Sequence, residues 1–152
     1  MNIEEWGLIG IFIAGAIPWM EAISVVPAGI IIGLDPVATL ISAIVGNSIT
    51  IVLFAYFASN IRARLINKKV KQGKSAELPK LEKALKAFDK YGVYGLAALG
   101  PILIGTQFAA AASVAAGVKP LKVTVLVSAA MVIWAAVIAW VVVALGISVF
   151  EA

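Results

Sequence analysis

The sequence predicts an all-α integral membrane protein with two inverted-topology repeats, each a re-entrant helical hairpin followed by a transmembrane helix. The 152 residues are 62% hydrophobic and only 13% charged, and the mean hydropathy is +1.06. The apolar residues fall into four blocks, two of which have lengths that do not suit a single span. A short motif also recurs after 84 residues. Composition and block lengths indicate membrane helices, and the recurrence indicates the repeat.

The four apolar blocks cover residues 6–34, 37–58, 92–118 and 121–148, with one polar connector at 59–91. The second and fourth blocks each have the roughly 20 apolar residues that cross about 30 Å of hydrocarbon as one helix. The first and third would each make a helix of about 40 Å, too long for one upright span and too short for two. A re-entrant hairpin, which enters and leaves on the same side, fits these lengths. A tilted, kinked single helix is the alternative.

Both long blocks contain residues that interrupt helices near their centres. These are Pro18 and Pro27 in the first block, and Gly100-Pro101 and Gly105-Thr106-Gln107 in the third. Proline lacks a backbone donor, and glycine tolerates turn conformations. The tip of a hairpin exposes backbone polar groups, which a membrane tolerates only where protein or water covers them. We therefore expect both tips to be covered.

An internal repeat supports the hairpin interpretation. Ile32–Val37 matches Ala116–Leu121 in the pattern Gly, apolar, charged, Pro, at an offset of 84 residues. The same offset carries Glu21 onto Gly105. It also places Pro18 beside Pro101. We interpret the chain as one membrane domain whose halves share the order broken block, turn, spanning helix.

The charge distribution predicts the topology. Of the twelve Lys and Arg residues, ten lie in the connector and the other two are Lys119 and Lys122. If the third block is re-entrant, all twelve lie on one side, which is cytoplasmic by the positive-inside rule. Both termini are then outside, and the two repeats, 1–58 and 92–152, run in opposite directions. A kinked single helix would instead place Lys119 and Lys122 on the opposite side from the connector.

The connector at 59–91 is predicted to contain a basic amphipathic helix that lies in the membrane interface. Its apolar stripe consists of Leu78, Leu81, Leu85 and Phe88, with lysines around it. Such charges favour anionic headgroups, so membrane lipids are expected partners. The basic charge is concentrated in this loop, so nucleic-acid binding is not expected.

Glu21 is a carboxylate in the middle of an apolar block. An acid at membrane depth is costly, normally faces a protein interior or water-filled cavity, and marks an ion or substrate pathway. Transporters place such sites on discontinuous helices. The candidate residues for binding substrate or a coupling ion are Glu21, Pro18, Pro27, Gly29, Asn47, Pro101, Gly105, Thr106 and Gln107. The alternative is that Glu21 only hydrogen-bonds a neighbouring helix.

Several function classes are disfavoured by the residue types. The chain has no Cys and no His, which excludes disulfides, thiolate metal sites and imidazole chemistry. The apolar blocks contain neither a nucleophile with its base nor paired carboxylates. We therefore predict no enzyme activity, no catalytic residue, no metal site and no cofactor, with a proton or sodium as the candidate coupling ion. A chain this short favours a homodimer.

Two stretches resemble a known family. Ile17–Gly29 and Lys90–Thr106 are similar to the small multidrug export protein family and, more distantly, to the DedA/VTT-like superfamily. The resemblance implies inverted re-entrant hairpins and membrane transport. Its matching positions are Glu21, Pro27, Gly29, Tyr91, Gly92, Pro101, Gly105 and Thr106. DedA-like proteins typically carry arginines around the second hairpin's proline, where this chain has Ala98, Leu99 and Ile104.

These observations predict a secondary active, ion-coupled transporter. It would export a small amphipathic solute or translocate a lipid carrier through a site between the two hairpin tips. The expected location is the inner or plasma membrane, with several passes. The alternatives are a non-transporting scaffold or assembly factor, or a small ion channel.

Overall fold

The computed structural model of the chain describes residues 3–71 and 92–147. These residues form α-helices joined by short turns and contain no strand, which confirms the all-α class for the described part. The helices are α1 Ile3–Ala16, α2 Ala22–Ile31, α3 Pro36–Lys71, α4 Gly92–Leu103, α5 Thr106–Ala115 and α6 Pro120–Ala144. The predicted amphipathic helix around 78–90 lies outside the described residues.

Two helices have the length and composition needed to cross a membrane. They are Pro36–Arg64 within α3, with 29 residues, and α6, with 25. Only 28% of the most apolar 18-residue window of each is buried, whereas the core helix of a soluble protein is mostly buried. α3 also continues to Lys71, beyond residue 58 where the second apolar block ends, because neither Gly nor Pro interrupts residues 59–71. These two helices indicate a membrane location.

The first long block is broken at Pro18 and Trp19. The Met20 N–H donates to the Ile17 carbonyl oxygen at 3.1 Å, and Trp19 has a φ of 72°. Pro at the second position and a positive φ at the third are the features of a type II turn. Pro27 was predicted to be a second break, but it lies inside α2. That prediction is wrong, because a proline removes only one backbone bond and tertiary packing of a buried face stabilises a short helix.

The two helices of the first block double back on each other. α1 packs against α2, and a Cβ placed on Gly7 would lie 2.7 Å from Leu34 Cδ2. A continuous helix would separate these two residues by about 40 Å. α1 also runs alongside α3, because a Cβ on Gly15 would lie 2.8 Å from the Ala43 carbonyl oxygen.

The third apolar block, residues 92–118, is broken at Ile104 and Gly105. The Gly100 carbonyl accepts from the N–H groups of Ile104 and Gly105 at 3.0 and 2.8 Å, ending α4. Gly105 has a φ of 95°, which favours glycine. The predicted break at Gly100-Pro101 is wrong, since α4 continues through Pro101. Gly100 instead gives room for α5, because a Cβ there would lie 2.5 Å from Ala109 Cβ.

The segments at the two ends of the third apolar block also lie close together. Lys122 Nζ, at the start of α6, lies 5.1 Å from the centroid of the Tyr94 ring, near the start of α4. A continuous helix would place these residues about 42 Å apart.

The 84-residue offset holds in the local structure. α2 and α5 each have ten residues and begin 84 positions apart, and α3 and α6 begin at Pro36 and Pro120. Both short helices end in the same Schellman turn. The donor and acceptor pairs are Ile32 to Ala28, Gly33 to Ile30 and Leu34 to Gly29, and then Ala116 to Ala112, Gly117 to Val114 and Val118 to Ser113. Gly33 lies in its turn with a φ of 87°, a conformation that favours glycine.

The described residues form two compact units. One contains the residues up to Thr50 and those from Ser128 onward, and the other extends from Ile51 to Val127. The predicted division into repeat one, connector and repeat two stays a prediction.

Candidate functional site

Glu21 lies at the start of α2, directly after the first helix break. Its backbone carbonyl accepts from the N–H groups of Ser24 and Val25, both at 3.0 Å, and so begins the helix. The residue is only 4% exposed, and its carboxylate makes no capping hydrogen bond to α2. The burial of this acid is therefore not explained by capping of its own helix.

Asn47 lies at the same level of the first unit as Glu21. A Cβ on Gly29 would lie 2.5 Å from Thr39 Cγ2, which fixes the level of α2 against α3. Glu21 is eight residues before Gly29, and Asn47 is eight residues after Thr39. Because the two helices run in opposite directions, each residue lies about 12 Å from that contact, towards the hairpin tip. Both side chains are buried.

The other predicted residues of the first half have structural positions. Pro18 shapes the turn that precedes Glu21, and Pro27 lies inside α2. Gly29 is a packing position, since a Cβ there would also lie 2.8 Å from Ile11 Cδ1. Of the residues predicted here, Asn47 is the one on another helix that lies level with Glu21, and Pro18 is close to Glu21 along the chain.

The second half carries an uncharged polar tip. Thr106 and Gln107, the first two residues of α5, are fully buried. The Thr106 hydroxyl donates to Gln107 Oε1 at 3.1 Å. Gly105 precedes them at the start of the helix, and Pro101 is buried on α4. Thr106 and Gln107 belong to the second unit, whereas Glu21 and Asn47 belong to the first.

The sequence-based prediction of the site missed two polar residues. Thr39 is fully buried, and its Oγ1 has no hydrogen-bond partner among the described residues. Its position eight residues before Asn47 places it on the same helical face, which was a usable signal. Arg62, on α3, donates from Nε to the Ala115 carbonyl oxygen at 3.2 Å. No sequence pattern predicted that contact, which joins residues 53 positions apart.

Metal ligands do not cluster in the described part of the chain. Residues 3–71 and 92–147 contain no group of three or more His, Cys, Asp or Glu side chains that could hold a metal ion. Carboxylate, amide and hydroxyl groups are therefore the functional groups that the two tips offer.

One known protein family matches most of the chain. The model of the family described as "Putative small multi-drug export protein" matches residues 21–138. That is 118 of the 152 residues, and it includes both Glu21 and the Thr106–Gln107 tip. No curated protein and no solved structure gives a significant match. The similarity to the DedA/VTT-like superfamily stays a prediction. Since the match extends over both halves, the chain belongs to the small multi-drug export protein family.

Proposed function

We propose that the protein is an ion-coupled membrane transporter that exports a small amphipathic solute, with Glu21 binding the coupling ion or the substrate. The buried carboxylate at a helix break carries this proposal. Family membership and the two apolar helices support a transport role. A buried acid beside a break is the arrangement by which transporters bind ions at membrane depth.

Asn47 suits a group that changes its protonation state. Its side-chain amide has both a donor and an acceptor. It can therefore donate to a charged carboxylate and accept from a protonated one. A proton or sodium ion would neutralise Glu21 in one orientation of the transporter and leave in the other. Alternating exposure of Glu21 would thus couple ion movement to export.

We further propose that both long blocks are re-entrant hairpins in two inverted repeats. The short distances from Gly7 to Leu34 and from Tyr94 to Lys122 support hairpins over kinked spans. The matching turns at Gly33 and Gly117 support a repeat. In this topology the basic end of α3 and the start of α6 are cytoplasmic, and a homodimer in the inner or plasma membrane is the proposed assembly.

Single cysteines test this topology, since the chain has no native Cys. Arg64 ends the apolar span of α3, and Asp35 and Lys119 directly precede α3 and α6; all three are exposed. In oriented vesicles, the Arg64→Cys and Lys119→Cys proteins should react with an impermeant thiol reagent from the same side. The Asp35→Cys protein should react from the other side. Reaction of Lys119→Cys on the Asp35 side would eliminate the inverted repeat.

Glu21→Gln tests the transport role directly. Gln keeps the size and hydrogen bonding of the side chain but cannot ionise. Efflux of ethidium from proteoliposomes driven by a proton or sodium gradient should therefore be lost. The melting temperature should stay close to the parent's. The matched control is Glu4→Gln, which removes an exposed acid and should transport normally. Full gradient-driven transport by Glu21→Gln would refute the coupling role.

The alternative is a membrane scaffold in which Glu21 only fixes helix packing. The burial of Glu21 and Asn47 at one level is the observation that favours it. A scaffold predicts that Glu21→Gln stays functional and that Glu21→Ala is destabilised by about 1 to 3 kcal/mol, because a buried partner loses its hydrogen bond. Thermal stability and transport measured on both variants separate the two roles.

A further inference from the structure

We infer that Arg62 is a positioning residue that holds the C-terminal end of α5 and thereby sets the position of the Thr106–Gln107 tip. Its importance for transport rests on the proposed function, in which that tip contributes to the transport site. Arg62 is partly buried on α3, and its Nε donates to the Ala115 carbonyl oxygen at 3.2 Å.

The Arg62 contact completes the hydrogen bonding at the end of α5. The last four carbonyls of a helix have no donor within it. Those of Ala112, Ser113 and Val114 accept from N–H groups of the following turn. Ala115 is the fourth, and Arg62 supplies its donor. A cation at this end also interacts favourably with the helix dipole.

The turn after α5 is shaped to admit the guanidinium. Gly117 has a φ of 106°, and a Cβ placed on it would lie 3.3 Å from Arg62 Nη2. A side chain at position 117 would therefore be strained by its backbone conformation and crowded by the guanidinium. Arg62 thus packs across the turn as well as bonding to the helix end.

α5 is attached to α3 at two points. The Phe108 ring packs edge-on against Phe54, with 5.9 Å between ring centroids. Phe54 and Arg62 are about 12 Å apart along α3, and Phe108 and Ala115 about 10.5 Å apart along α5. The two contacts therefore hold both ends of α5 along α3. A helix of ten residues is not stable by itself, so its position depends on these contacts together with its packing against Gly100 of α4.

In the 84-residue correspondence α2 is the counterpart of α5, and α6 is the counterpart of α3. The counterpart of Arg62 cannot provide the same attachment for α2. The residue 84 positions after Arg62 is Gly146, which has no side chain. α2 nevertheless ends in the same turn as α5. It is therefore an internal control for any effect that is general to the fold.

Hydrogen exchange measured by mass spectrometry on the full chain in nanodiscs tests the inference. Arg62→Ala should increase exchange of the hydrogen-bonded α5 amides, from Ala115 back to Ala109 beside the tip, by about tenfold, since a hydrogen bond from a charged donor is lost. α2 should be unchanged, and Arg62→Lys should give a smaller increase because it keeps the charge but not the geometry. Arg64→Ala, which removes an exposed charge two residues further along α3, should have no effect.

Two exchange patterns would overturn the inference. Faster exchange limited to Ala116–Val118 would show that Arg62 is only a local cap. An equal increase in α2 would show general destabilisation. If Arg62→Ala does not fold, Arg62→Lys and Arg62→Gln carry the same comparison.

Ethidium transport kinetics separate positioning from a merely structural role. Arg62→Lys should raise KM by about fivefold, the size expected for coupled residues. A displaced Thr106–Gln107 tip would bind ethidium less well, whereas Vmax should stay nearly unchanged. Since Arg62 would act through Gln107, the Arg62→Lys/Gln107→Leu double variant should have the KM of Gln107→Leu alone. A double variant whose KM increase equals the product of the two single increases would overturn the inference. A parent protein that moves no ethidium would refute the proposed transport of this probe, while hydrogen exchange would still decide whether Arg62 positions α5.

Discussion

The two halves share a backbone pattern but place their buried polar groups on different helices. In the first half these groups are at the tip and on the long helix α3, and in the second they are on the short helix α5. Glu21, Thr39 and Asn47 correspond at the 84-residue offset to Gly105, Val123 and Met131, whereas Thr106, Gln107 and Ser113 correspond to Ala22, Ile23 and Gly29. Neither half therefore duplicates the chemistry of the other.

The difference shows that helix ends and turns can repeat while the functional groups diverge. The turns at Gly33 and Gly117 need only glycine and a short apolar helix before it. The buried face of α2 or α5 needs small side chains, some of which can be polar if they are hydrogen-bonded. Ser113, for example, donates to the Ala109 carbonyl at 2.8 Å. The single buried acid, Glu21, makes the first tip the chemically distinct one among the described residues.

The largest effect on stability is expected at Gly46, where α3 packs directly against the backbone of α1. A Cβ on Gly46 would overlap the Phe12 carbonyl oxygen, so Gly46→Ala should lower the free energy of unfolding by about 2 to 3 kcal/mol. The equivalent residue is already alanine, Ala130. Ala130→Gly should cost only about 1 kcal/mol through helix propensity. Denaturant titration in mixed micelles measures both, and equal costs would show that the halves pack alike.

A smaller effect of opposite sign is expected at Thr39. Its buried hydroxyl lacks a hydrogen-bond partner among the described residues, and Val123 fills the equivalent buried position. Thr39→Val should therefore stabilise the protein by up to about 1 kcal/mol, because it removes an unsatisfied polar group.

The reverse change, Val123→Thr, is the matched control and should destabilise. Thermal melts in detergent compare the two variants. A loss of stability in Thr39→Val would mean that its hydroxyl is satisfied in the membrane.

The smallest effect is expected for the contact between Lys122 and Tyr94. The corresponding residues of the first half, Ala38 and Gly10, cannot form it. Lys122→Met and Tyr94→Leu, alone and combined, should reveal a coupling energy of about 0.5 to 1 kcal/mol, typical of an exposed cation over a ring. The same cycle with Lys119→Met in place of Lys122→Met should give no coupling. Coupling of equal size in both cycles would indicate a general charge effect.

The sequence drew attention to the buried polar residues of both tips but not to Arg62. An acid in an apolar block is costly enough to stand out, so Glu21 was singled out by its position in the sequence. Thr106 and Gln107 stood out because a glycine precedes them. Arg62 did not, since a basic residue at the end of a membrane helix usually indicates only orientation. Its contact depends on how the chain folds back over 53 residues.

The prolines show the same limit. Pro18 marks a break and Pro27 does not, although both lie in the same apolar block. Pro101 likewise lies within α4, and the break in that block comes after α4, at Ile104 and Gly105. A missing N–H is a local property, but whether the helix tolerates it depends on the packing of its buried face.

The sequence by itself determined the all-α class, the lengths of the apolar blocks, the 84-residue correspondence and the acid at the first tip. Periodicity, hydropathy and charge are local properties of the chain, so they can be read along it. The tertiary structure alone decided that Glu21 lies level with Asn47, that Gly46 packs against a backbone carbonyl and that Arg62 donates to the last carbonyl of α5. These contacts join residues far apart in the chain, and their geometry depends on how whole helices pack.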